Sequence, residues 1–372
     1  MGKLRLGIDA RLYGVAGRGI GRYTEAVVSA LDSTPMPIEK VIFISQNSKL
    51  AKQLAEQGWE VHETNTPLYS FSEQFTFYRQ LVDTHLDLLH APHFTVPYRY
   101  RRPYLVTVHD LILHHYPNRQ ASTRRWPVYA VKYTSYRLSF RHVVRKARRI
   151  LTVSEFTRED LLTYYPRCKD KTVCLQQPTL FSGAGATDKV RNLHYTKANP
   201  YILVVGAFYP HKNIETLLRA WVSCYKQQQI PLLLAGPVDV FQKRLLRLAN
   251  ELGLIKNGAV VFAVGVDDNE LRGLYMNALF VLVPSRYEGY GLPGVEAMAS
   301  GVSVVSSSKS VLPETYGENV VYVPVDDARA LASSLVSLLK NPELLRKPRM
   351  INEVTLASFR AGLLSAYERA LL

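Results

Sequence analysis

Two glutamates on either side of a glycine-rich turn are the residues whose types and spacing most suggest chemistry. Glu288 and Glu296 stand eight residues apart in P-S-R-Y-E-G-Y-G-L-P-G-V-E-A-M-A-S-G. Glycines in such a turn let the backbone approach a ligand and expose N–H donors, and the helix that follows favours phosphate at its N-terminus. The stretch therefore predicts a site for a phosphorylated ligand rich in hydroxyls. A strand–turn–helix connection with a capping glutamate is the alternative interpretation.

A histidine and an aspartate stand directly after a short apolar run. The run is L-V-T-V, and the pair is His109 and Asp110. Proteins of the α/β class bind their ligands at the carboxyl ends of strands. A histidine there can donate to a sugar hydroxyl or stabilise charge that develops at a reacting carbon. A structural histidine with satisfied hydrogen bonds has the same signature, so both interpretations stay open.

A lysine and a glycine-rich loop are further candidates for contact with phosphate. Lys212 follows the apolar run Tyr201–Val205, where a cation can neutralise a departing diphosphate; a solvated surface lysine is the alternative. Gly17, Gly19 and Gly21 separate the first predicted strand from the first predicted helix. Such a loop admits a phosphate or an acceptor, as does a simple turn. Its spacing is not a dinucleotide fingerprint, so NAD binding is not predicted.

Strands and helices alternate along the whole chain, which predicts an α/β fold with two doubly wound, mainly parallel sheets. The first domain is predicted to span residues 1–180 and the second residues 201–348. Residues 181–200 include S-G-A-G-A-T and show no apolar periodicity, so we interpret them as a linker. Residues 349–372 carry a separate last helix. In the second domain, the predicted helix Val295–Ser300 places Glu296 in its first turn.

The composition is that of a folded protein with a large excess of positive charge. The chain has 372 residues, of which 47% are apolar, and a formal net charge of +15 at pH 7. Three scattered cysteines, Cys168, Cys174 and Cys224, do not make a disulfide framework, so a reduced, cytoplasmic compartment is expected. We see no signal peptide and no apolar run of about 18 residues, so neither secretion nor a membrane span is expected.

The positive charge is concentrated in Arg119–Arg149, which holds ten basic residues and no acidic one. Five aromatic residues in it follow a helical spacing, namely Trp126, Tyr129, Tyr133, Tyr136 and Phe140. One interpretation is an aromatic stripe buried in the first domain, with a solvated basic rim. Another is docking on an anionic membrane surface, to which each basic residue contributes roughly 1 kcal/mol. A nucleic-acid-binding protein has the same charge signature.

Six short motifs occur in an order that matches one enzyme family. The segment E-G-Y-G-L-P-G-V-E resembles the E-x7-E motif of the retaining glycosyltransferases grouped as family 4. The other five motifs are G-R-G-I-G-R-Y-T, H-A-P-H-F, V-T-V-H-D-L, T-V-S-E-F-T-R-E-D-L and V-V-G-A-F-Y-P-H-K-N. Together they cover nearly the whole chain. The resemblance implies the GT-B fold, in which two Rossmann-like domains face a cleft and a C-terminal helix crosses back to the N-terminal domain.

The resemblance also implies an activity. Such an enzyme transfers a hexose from a nucleotide diphosphate sugar, held by the C-terminal domain, to a hydroxyl of a glycan or lipid-linked glycan, held by the N-terminal domain. The configuration at the anomeric carbon is retained. The motifs look most like those of bacterial mannosyl- or rhamnosyltransferases of surface polysaccharide synthesis, which favours mannose and GDP-mannose. The protein is expected to lie in the cytoplasm. A second expectation is that it attaches peripherally to the inner face of the plasma membrane through Arg119–Arg149.

The family motifs imply a role for each matching residue. Glu288 and His109 are expected to be the catalytic residues that orient the sugar. Glu296 is expected to bind the ribose, and Lys212 to neutralise the leaving diphosphate. The donor-binding loop comprises Gly289, Tyr290, Gly291 and Leu292, and the phosphate or acceptor loop comprises Gly19 and Gly21. Family members often have an arginine where this chain has Ala207, so one cation is missing unless Arg286 or an N-domain residue compensates.

No cofactor and no metal are expected, and the nucleotide sugar is a substrate. Four histidines, His90, His93, His114 and His115, lack the carboxylate or thiolate partners of a recognisable ligand set. The chain also has no Asp-x-Asp, the motif with which metal-dependent glycosyltransferases of another fold hold their metal. Binding of nucleic acid is not expected. The alternative functions are a basic nucleic-acid-binding protein, or a phosphorylase or epimerase of the GT-B fold.

Overall fold

The chain forms two compact units, each built on one parallel sheet. The computed structural model describes residues 3–14, 18–32, 38–116, 126–181, 200–349 and 354–372. One unit comprises Met1–Leu111, Arg125–Leu180 and Val354–Leu372, and the other comprises Ile112–Arg124 and Phe181–Glu353. The predicted linker, residues 181–200, lies outside the described residues except at its two ends.

The first unit contains a seven-stranded sheet in which each neighbouring pair of strands is parallel. Its strands are β1 (Leu4–Ala10), β2 (Ile38–Ser45), β3 (Glu60–Thr64), β4 (Leu88–Ala91), β5 (Tyr104–Val108), β6 (Arg149–Thr152) and β7 (Thr172–Cys174). The order across the sheet is β3-β2-β1-β4-β5-β6-β7. The chain order therefore reverses between β1 and β4, and a crevice for ligands is expected at the carboxyl ends of these two strands.

The second unit contains a six-stranded parallel sheet. Its strands are β8 (Ile202–Val205), β9 (Leu232–Gly236), β10 (Val260–Val264), β11 (Phe280–Val283), β12 (Val304–Ser306) and β13 (Val321–Tyr322). The order is β10-β9-β8-β11-β12-β13, so the reversal lies between β8 and β11. The apolar runs that form these strands have side chains buried on both faces, as expected of parallel sheets covered by helices.

Helices connect the strands in both units. In chain order the α-helices of the described residues are α1 (Arg18–Asp32), α2 (Ser48–Glu56), α3 (Thr76–Asp83), α4 (Ile112–His115), α5 (Trp126–Lys146), α6 (Glu155–Tyr164), α7 (Ile214–Gln228), α8 (Val240–Glu251), α9 (Asp268–Asn277), α10 (Leu292–Ala299), α11 (Leu312–Tyr316), α12 (Ala328–Lys340) and α13 (Leu356–Leu371). The prediction of two doubly wound parallel sheets is confirmed.

The C-terminal helix α13 packs on the first unit, against α1 and the strands β4, β5 and β6. Its buried face includes Phe359, Leu363 and Tyr367. The Tyr367 hydroxyl is hydrogen-bonded to His90 Nδ1 at 2.8 Å, and Phe359 lies edge-on to Tyr23, with ring centroids 5.8 Å apart. The chain thus returns to its first unit after completing the second, as the predicted fold class requires.

Two predicted helix starts are wrong, and both errors concern candidate site residues. The helix after the glycine-rich turn begins at Leu292 rather than Val295, so Glu296 lies in its second turn and not in its first. Proline is tolerated in the first turn, where its missing N–H is not needed. In the first unit, α1 begins at Arg18, so Gly19 and Gly21 lie inside its first turn rather than in the loop before it.

Gly21 has a structural reason to be glycine. A Cβ at this position would collide with the carbonyl oxygen of Gly14 and lie 2.6 Å from that of Leu12. The loop that leaves β1 therefore folds back against the first turn of α1 only because no side chain is present there. Gly17, the remaining glycine of this motif, lies outside the described residues.

Candidate functional site

The loops after β8 and β11 lie side by side at the reversal point of the second sheet. Asn213, in the loop after β8, donates from Nδ2 to the carbonyl oxygens of Pro284 (3.2 Å) and Val325 (2.8 Å). The Arg286 N–H donates to the His211 carbonyl at 2.8 Å. Asn213 has a φ of 61°, a left-handed conformation that asparagine tolerates better than most residues. These bonds hold together two motifs that are more than seventy residues apart in sequence.

Lys212 and Glu288 form an ion pair across these loops. The Lys212 ammonium donates to both carboxylate oxygens of Glu288, at 2.6 Å to Oε2. Ser285 Oγ also donates to Glu288 Oε1 at 2.6 Å, and the Glu288 N–H donates to Ser310 Oγ at 2.9 Å. Glu288 is buried, with 7% of its surface exposed, while 18% of the Lys212 side chain is exposed. The pair therefore reaches the surface through the lysine.

The surroundings of Glu288 keep it ionised. Burial alone raises the pKa of a carboxyl group, because it penalises the charged form. Here the charge of Lys212 and the hydrogen bonds from Lys212 and Ser285 outweigh burial, so the pKa of Glu288 is lowered. His211 lies next to this pair, and burial lowers its pKa to about 4. Around neutral pH the site therefore contains one cation, one carboxylate and a neutral imidazole.

A small pocket adjoins the ion pair. Its lining includes Gly206, Ala207, Lys212, Glu288 and Pro293. Position 207 thus borders the predicted diphosphate site, and alanine leaves it without a second cation. The guanidinium of Arg286 contacts Asp326 (3.7 Å) and Thr216 (3.5 Å) instead.

Glu296 lies on α10, on the other side of the glycine-rich turn from Glu288. It is buried, with 4% of its surface exposed, and its Oε2 accepts a hydrogen bond from the Tyr275 hydroxyl at 2.8 Å. Tyr275 is fully buried at the C-terminal end of α9. The tyrosine therefore fixes one carboxylate oxygen of Glu296 and limits the directions from which a ligand can reach the other.

Tyr316 holds the glycine-rich turn in place through hydrogen bonds between its hydroxyl and the backbone of the turn. Its hydroxyl donates to the carbonyl of Gly291 at 2.5 Å and accepts from the N–H of Gly294 at 3.2 Å. A Cβ on Gly291 would lie 2.6 Å from this hydroxyl, and a Cβ on Gly294 would overlap the ring. Gly291 also has a φ of 83°. These two glycines make room for a tyrosine, a reason that differs from the ligand approach inferred from the sequence.

The predicted donor loop is the turn that Tyr316 supports. Gly289, Tyr290 and Gly291 precede α10, and Leu292 is its first residue. The Gly294 N–H is already bonded within the turn, to the Gly291 carbonyl (3.1 Å) and to Tyr316. The Leu292 N–H has no partner among the described residues, as is usual in the first turn of a helix. It is available to an anion at this helix N-terminus.

His109 lies in the first unit, directly after β5, as predicted. Its Nε2 is 2.8 Å from the carbonyl oxygen of Pro92. Because a carbonyl only accepts, Nε2 carries the proton and Nδ1 is left as an acceptor. Burial lowers the pKa of His109 to about 4, so the ring is neutral near pH 7. In this state Nδ1 can accept a hydrogen bond but not donate one, whereas one of the sequence-based interpretations had the ring donating to a sugar hydroxyl.

The neighbouring helix α6 holds the backbone at His109. Ser154 caps α6, accepting from the Thr157 N–H at 3.1 Å, as the sequence motif around it suggests. Thr157 Oγ1 in turn donates to the His109 carbonyl at 3.3 Å. Tyr23 lies edge-on to the imidazole, with ring centroids 4.9 Å apart. The histidine is therefore oriented by contacts on both its ring and its backbone.

The first unit also contains a buried charged cluster near the end of β1. Arg11 donates to Asp9 (2.7 Å) and to Glu73 (2.7 Å), and its guanidinium lies 3.7 Å from the ring centre of Phe77. All three charged residues are less than 10% exposed. Glu73 Oε2 accepts the N–H of Tyr69 at 3.0 Å. The cluster fixes the segment that contains Glu73 to the carboxyl end of β1, an interior strand of the first sheet.

A second buried network extends from the C-terminal helix towards His109. Tyr367 is bonded to His90 Nδ1, His90 Nε2 lies 3.0 Å from Thr107 Oγ1, and Thr107 Oγ1 donates to the Tyr23 hydroxyl at 3.0 Å. His90 is fully buried, and burial lowers its pKa to about 3. It is therefore a neutral core residue, and both of its ring nitrogens have partners within the first unit.

The structure brings some predicted site residues together within one unit. Lys212, Glu288, Glu296 and the donor loop meet at the end of the second sheet, while His109, Gly19 and Gly21 belong to the first unit. Sequence analysis missed the residues that hold this site in place, namely Asn213, Tyr275, Ser285, Ser310 and Tyr316. No spacing marks them, because they reach the motifs only through tertiary contacts. Groups of three metal-ligating side chains are absent from the described residues, and metal independence stays a prediction.

Comparison with known protein families matches both halves of the chain. Residues 18–176 match the family described as Glycosyltransferase Family 4. Residues 187–353 match the family described as Glycosyl transferases group 1. Together the two matches span most of the chain and include the candidate site residues named above except Gly17.

Two curated relatives are bacterial enzymes. The chain is 26% identical over 263 residues to O-antigen chain mannosyltransferase RfbU of Salmonella typhimurium, covering 70% of this chain and 67% of that protein. It is 29% identical over 261 residues to O-antigen chain mannosyltransferase B of Escherichia coli, covering 68% of this chain and 65% of that protein. The matched region thus spans about two thirds of the length of each relative.

The fold has counterparts among solved structures. HepE of Anabaena, determined in complex with UDP and glucose, superposes with a TM-score of 0.66 over 98% of this chain and 95% of its own, at 17% identity. At this identity the likeness establishes the fold alone. With two Rossmann-like sheets, a glycine-rich E-x7-E turn at the reversal of the second, and both family matches in sequence order, the chain belongs to the GT-B glycosyltransferases of family 4.

Proposed function

We propose that this glycosyltransferase moves a hexose, mannose, from GDP-mannose to a hydroxyl of a glycan or lipid-linked glycan, with retention of configuration and without a metal ion. The observation that carries the proposal is the Lys212–Glu288 pair beside a pocket at the carboxyl ends of β8 and β11. This is the place where an open α/β sheet binds a nucleotide.

The ion pair suits a leaving diphosphate. An ammonium group has three donors, and Glu288 takes two of those of Lys212, so the third is directed to a phosphate oxygen. The N–H of Leu292 and the positive end of α10 add to the attraction for negative charge. Together they stabilise the charge that develops on the diphosphate as the glycosidic bond to the donor breaks.

The two glutamates have different tasks in this proposal. Glu288, held as a carboxylate, accepts hydrogen bonds and fixes Lys212 where the diphosphate departs. Glu296 binds the ribose hydroxyls through its carboxylate, which Tyr275 holds in place. His109 accepts a sugar hydroxyl at Nδ1 and so contributes to the orientation of the sugar. Gly19 and Gly21, in the first turn of α1, belong to the acceptor or phosphate site.

The choice of sugar and acceptor rests on the relatives. Both curated relatives described above are named as O-antigen chain mannosyltransferases, which supports mannose and a surface polysaccharide as acceptor. HepE was solved with UDP and glucose, so a uridine donor is the competitor to test. Nothing in the described site favours a phosphorylase or an epimerase, and nucleic-acid binding rests on the positive charge of Arg119–Arg149 alone.

We further propose that the enzyme works on the cytoplasmic face of the membrane and attaches there through the basic stretch Arg119–Arg149. Among the described helices, none combines the length and the apolar character needed to span a bilayer. Two aromatic residues of α5, Tyr136 and Phe140, lie on its packed side, since their ring centroids are 5.3 and 5.0 Å from that of Phe94. The exposed basic side chains Arg141, Arg145 and Lys146 of α5 are left for contact with lipid headgroups.

The test is a thermal-shift panel followed by turnover. GDP, UDP, ADP and their sugar conjugates are compared with and without Mg²⁺ or EDTA. A ligand at about 100 times its Kd stabilises the fold by roughly 2.7 kcal/mol. We expect GDP-mannose to give the largest shift, unaffected by EDTA, and ¹H NMR of the product to show an α-linked mannose. A thermal shift with UDP-glucose alone contradicts GDP-mannose as the donor. Loss of turnover in EDTA contradicts metal independence.

A matched pair of variants locates the donor site. Glu296→Ala is expected to abolish the nucleotide shift while the unliganded protein keeps its fold. The control is Glu343→Ala, a solvent-exposed glutamate of the same unit, which is expected to bind nucleotide normally. Equal nucleotide binding by both variants removes Glu296 from the site.

A further inference from the structure

The exposed aromatic residues of the described chain lie in one region of the first unit. Four aromatic side chains are more than half exposed: Tyr69 (60%), Phe71 (89%), Phe75 (61%) and Tyr98 (52%). The other large exposed apolar residues are aliphatic. We call these four residues the aromatic patch. Exposed phenylalanines carry a large unfavourable hydration free energy, so their concentration in one place points to an interaction surface.

The aromatic patch is held in position by buried polar contacts. Glu73 stands between Phe71 and Phe75 in sequence and is buried against Arg11. It also accepts the N–H of Tyr69, whose left-handed φ of 61° turns the chain there. The Thr66 carbonyl accepts from Arg11 as well. A buried arginine thus anchors both ends of a segment whose aromatic rings face water.

Tyr98 connects the aromatic patch to the basic helix α5. Its N–H donates to Gln74 Oε1 at 2.7 Å, which places it beside the segment with Phe71 and Phe75. Its ring stacks on His142 of α5, with centroids 3.6 Å apart and planes inclined by 18°. Leu138, one turn before His142, is 60% exposed. The apolar surface therefore continues from the aromatic patch onto α5.

The charges around the aromatic patch are of one sign. Seven exposed basic residues lie on three segments, residues 67–83, 93–102 and 126–146, and none of the seven has an ion pair among the described residues: Arg79, Arg99, Arg101, Arg102, Arg141, Arg145 and Lys146. These segments contain two acidic residues. Glu73 is neutralised by Arg11, and Asp83 ends α3, about two turns beyond Phe75.

We propose that the aromatic patch, with Leu138 and the surrounding basic residues, is an interfacial surface that inserts into anionic lipid bilayers. This deepens the proposed membrane association and rests on it, because it assigns the apolar contact to Phe71 and Phe75, outside Arg119–Arg149. Aromatic rings sit at the headgroup boundary, and basic side chains bind anionic headgroups. The surface also includes the exposed aliphatic side chain of Leu138, which suits the acyl boundary of an anionic lipid bilayer better than the stacked bases of single-stranded nucleic acid.

The first experiment is vesicle co-sedimentation of the full chain. Vesicles that contain phosphatidylglycerol are compared with vesicles of phosphatidylcholine alone. We expect the wild type to bind the anionic vesicles, and Phe71→Ser/Phe75→Ser to lower its partition coefficient at least about tenfold. The control is Val238→Ser, which removes a 62% exposed apolar side chain from the second unit and is expected to leave binding unchanged. Circular dichroism and melting temperature check that each variant is folded.

A second readout tests insertion directly. Phe71→Trp places a fluorophore at the most exposed ring, and its emission is expected to shift to the blue on anionic vesicles and to be quenched by brominated lipid. Vesicle binding without a blue shift, or equal binding by the wild type and the double serine variant, overturns the insertion of the aromatic patch. Either result leaves the proposed attachment through Arg119–Arg149 in place. No vesicle binding by the wild type overturns both. A third outcome is that the wild type does not bind vesicles but self-associates or binds nucleic acid, and that the double serine variant loses this binding. That outcome assigns the aromatic patch to another partner and overturns the proposal.

Discussion

The two sheets share one topology but use charged residues at their reversal points in different ways. At the end of β1, Arg11 is enclosed by Asp9 and Glu73, and its guanidinium lies on Phe77. At the end of β8, Lys212 pairs with one carboxylate and borders a pocket. The first arrangement satisfies its charges internally, whereas the second leaves a donor and a helix N-terminus for a ligand. Under the proposed function, similar positions in one topology therefore serve stability in one unit and binding in the other.

The difference follows from how many partners each cation has. The five N–H donors of an arginine can be spread over several acceptors in a rigid fork, while a lysine presents a compact charge. Arg11 bonds two carboxylates and a carbonyl, so it has little capacity left for a ligand. Lys212 bonds one carboxylate and keeps part of its surface in solvent. The same substitution at the two positions should therefore have different consequences.

The largest effect is expected from Arg11→Met. It leaves Asp9 and Glu73 buried without their cation, and breaking a buried ion pair costs about 3–5 kcal/mol. Urea unfolding followed by circular dichroism measures the loss. The matched variant Lys212→Met is expected to lose less stability, because Glu288 keeps its bond from Ser285 beside a pocket. Equal destabilisation by the two variants would break the distinction between the two regions.

Lys212→Met is expected to act mainly on catalysis. Loss of a group that stabilises a departing diphosphate lowers kcat by a factor of about 10²–10³. Steady-state kinetics with the proposed donor, GDP-mannose, measures this decrease. The double variant Lys212→Met/Glu288→Gln removes the unpaired carboxylate, so it should regain stability but not activity. A double variant that recovers both would show that the ion pair is structural, like its counterpart in the first unit.

Tyr316→Phe tests the support of the glycine-rich turn. It removes the hydroxyl between the Gly291 carbonyl and the Gly294 N–H, and leaving buried polar groups unpaired costs about 1–3 kcal/mol. We also expect a several-fold increase in the KM of the donor. The control is Tyr322→Phe, whose hydroxyl bonds Gly317 outside the turn. An unchanged KM in Tyr316→Phe would limit this tyrosine to stability.

The smallest effect concerns pH. The folded-state pKa of His90 is lowered by burial to about 3, so the unfolded chain binds a proton more readily as pH falls below about 6.5. Stability is therefore full above that pH and is lost as the pH decreases, by about 1–2 kcal/mol between pH 7 and pH 5 for this residue. His90→Gln should show a shallower dependence in denaturant titrations. An identical slope in both proteins would contradict the neutral, buried state of His90.

Much of the site could be predicted from local patterns. The E-x7-E turn, the strand before His109 and the cap at Ser154 are encoded in a few adjacent residues, and each lies at the kind of position predicted. The predicted start of α10 is three residues late, because Pro293 and Gly294 in its first turn, and Gly291 just before it, hide the helical pattern. Glu296 consequently lies one turn further into the helix than the sequence suggests.

The sequence by itself determined the alternation of elements, the class of fold and the motifs of the family, because each depends on neighbouring residues and their periodicity. Tertiary structure alone decided which polar groups meet. It paired Lys212 with Glu288, placed Tyr316 under Gly291 and Gly294, and brought Tyr69, Phe71, Phe75 and Tyr98 into one exposed patch. The physical reason is that hydrogen bonding and burial depend on distances between segments, which no spacing within a single segment records.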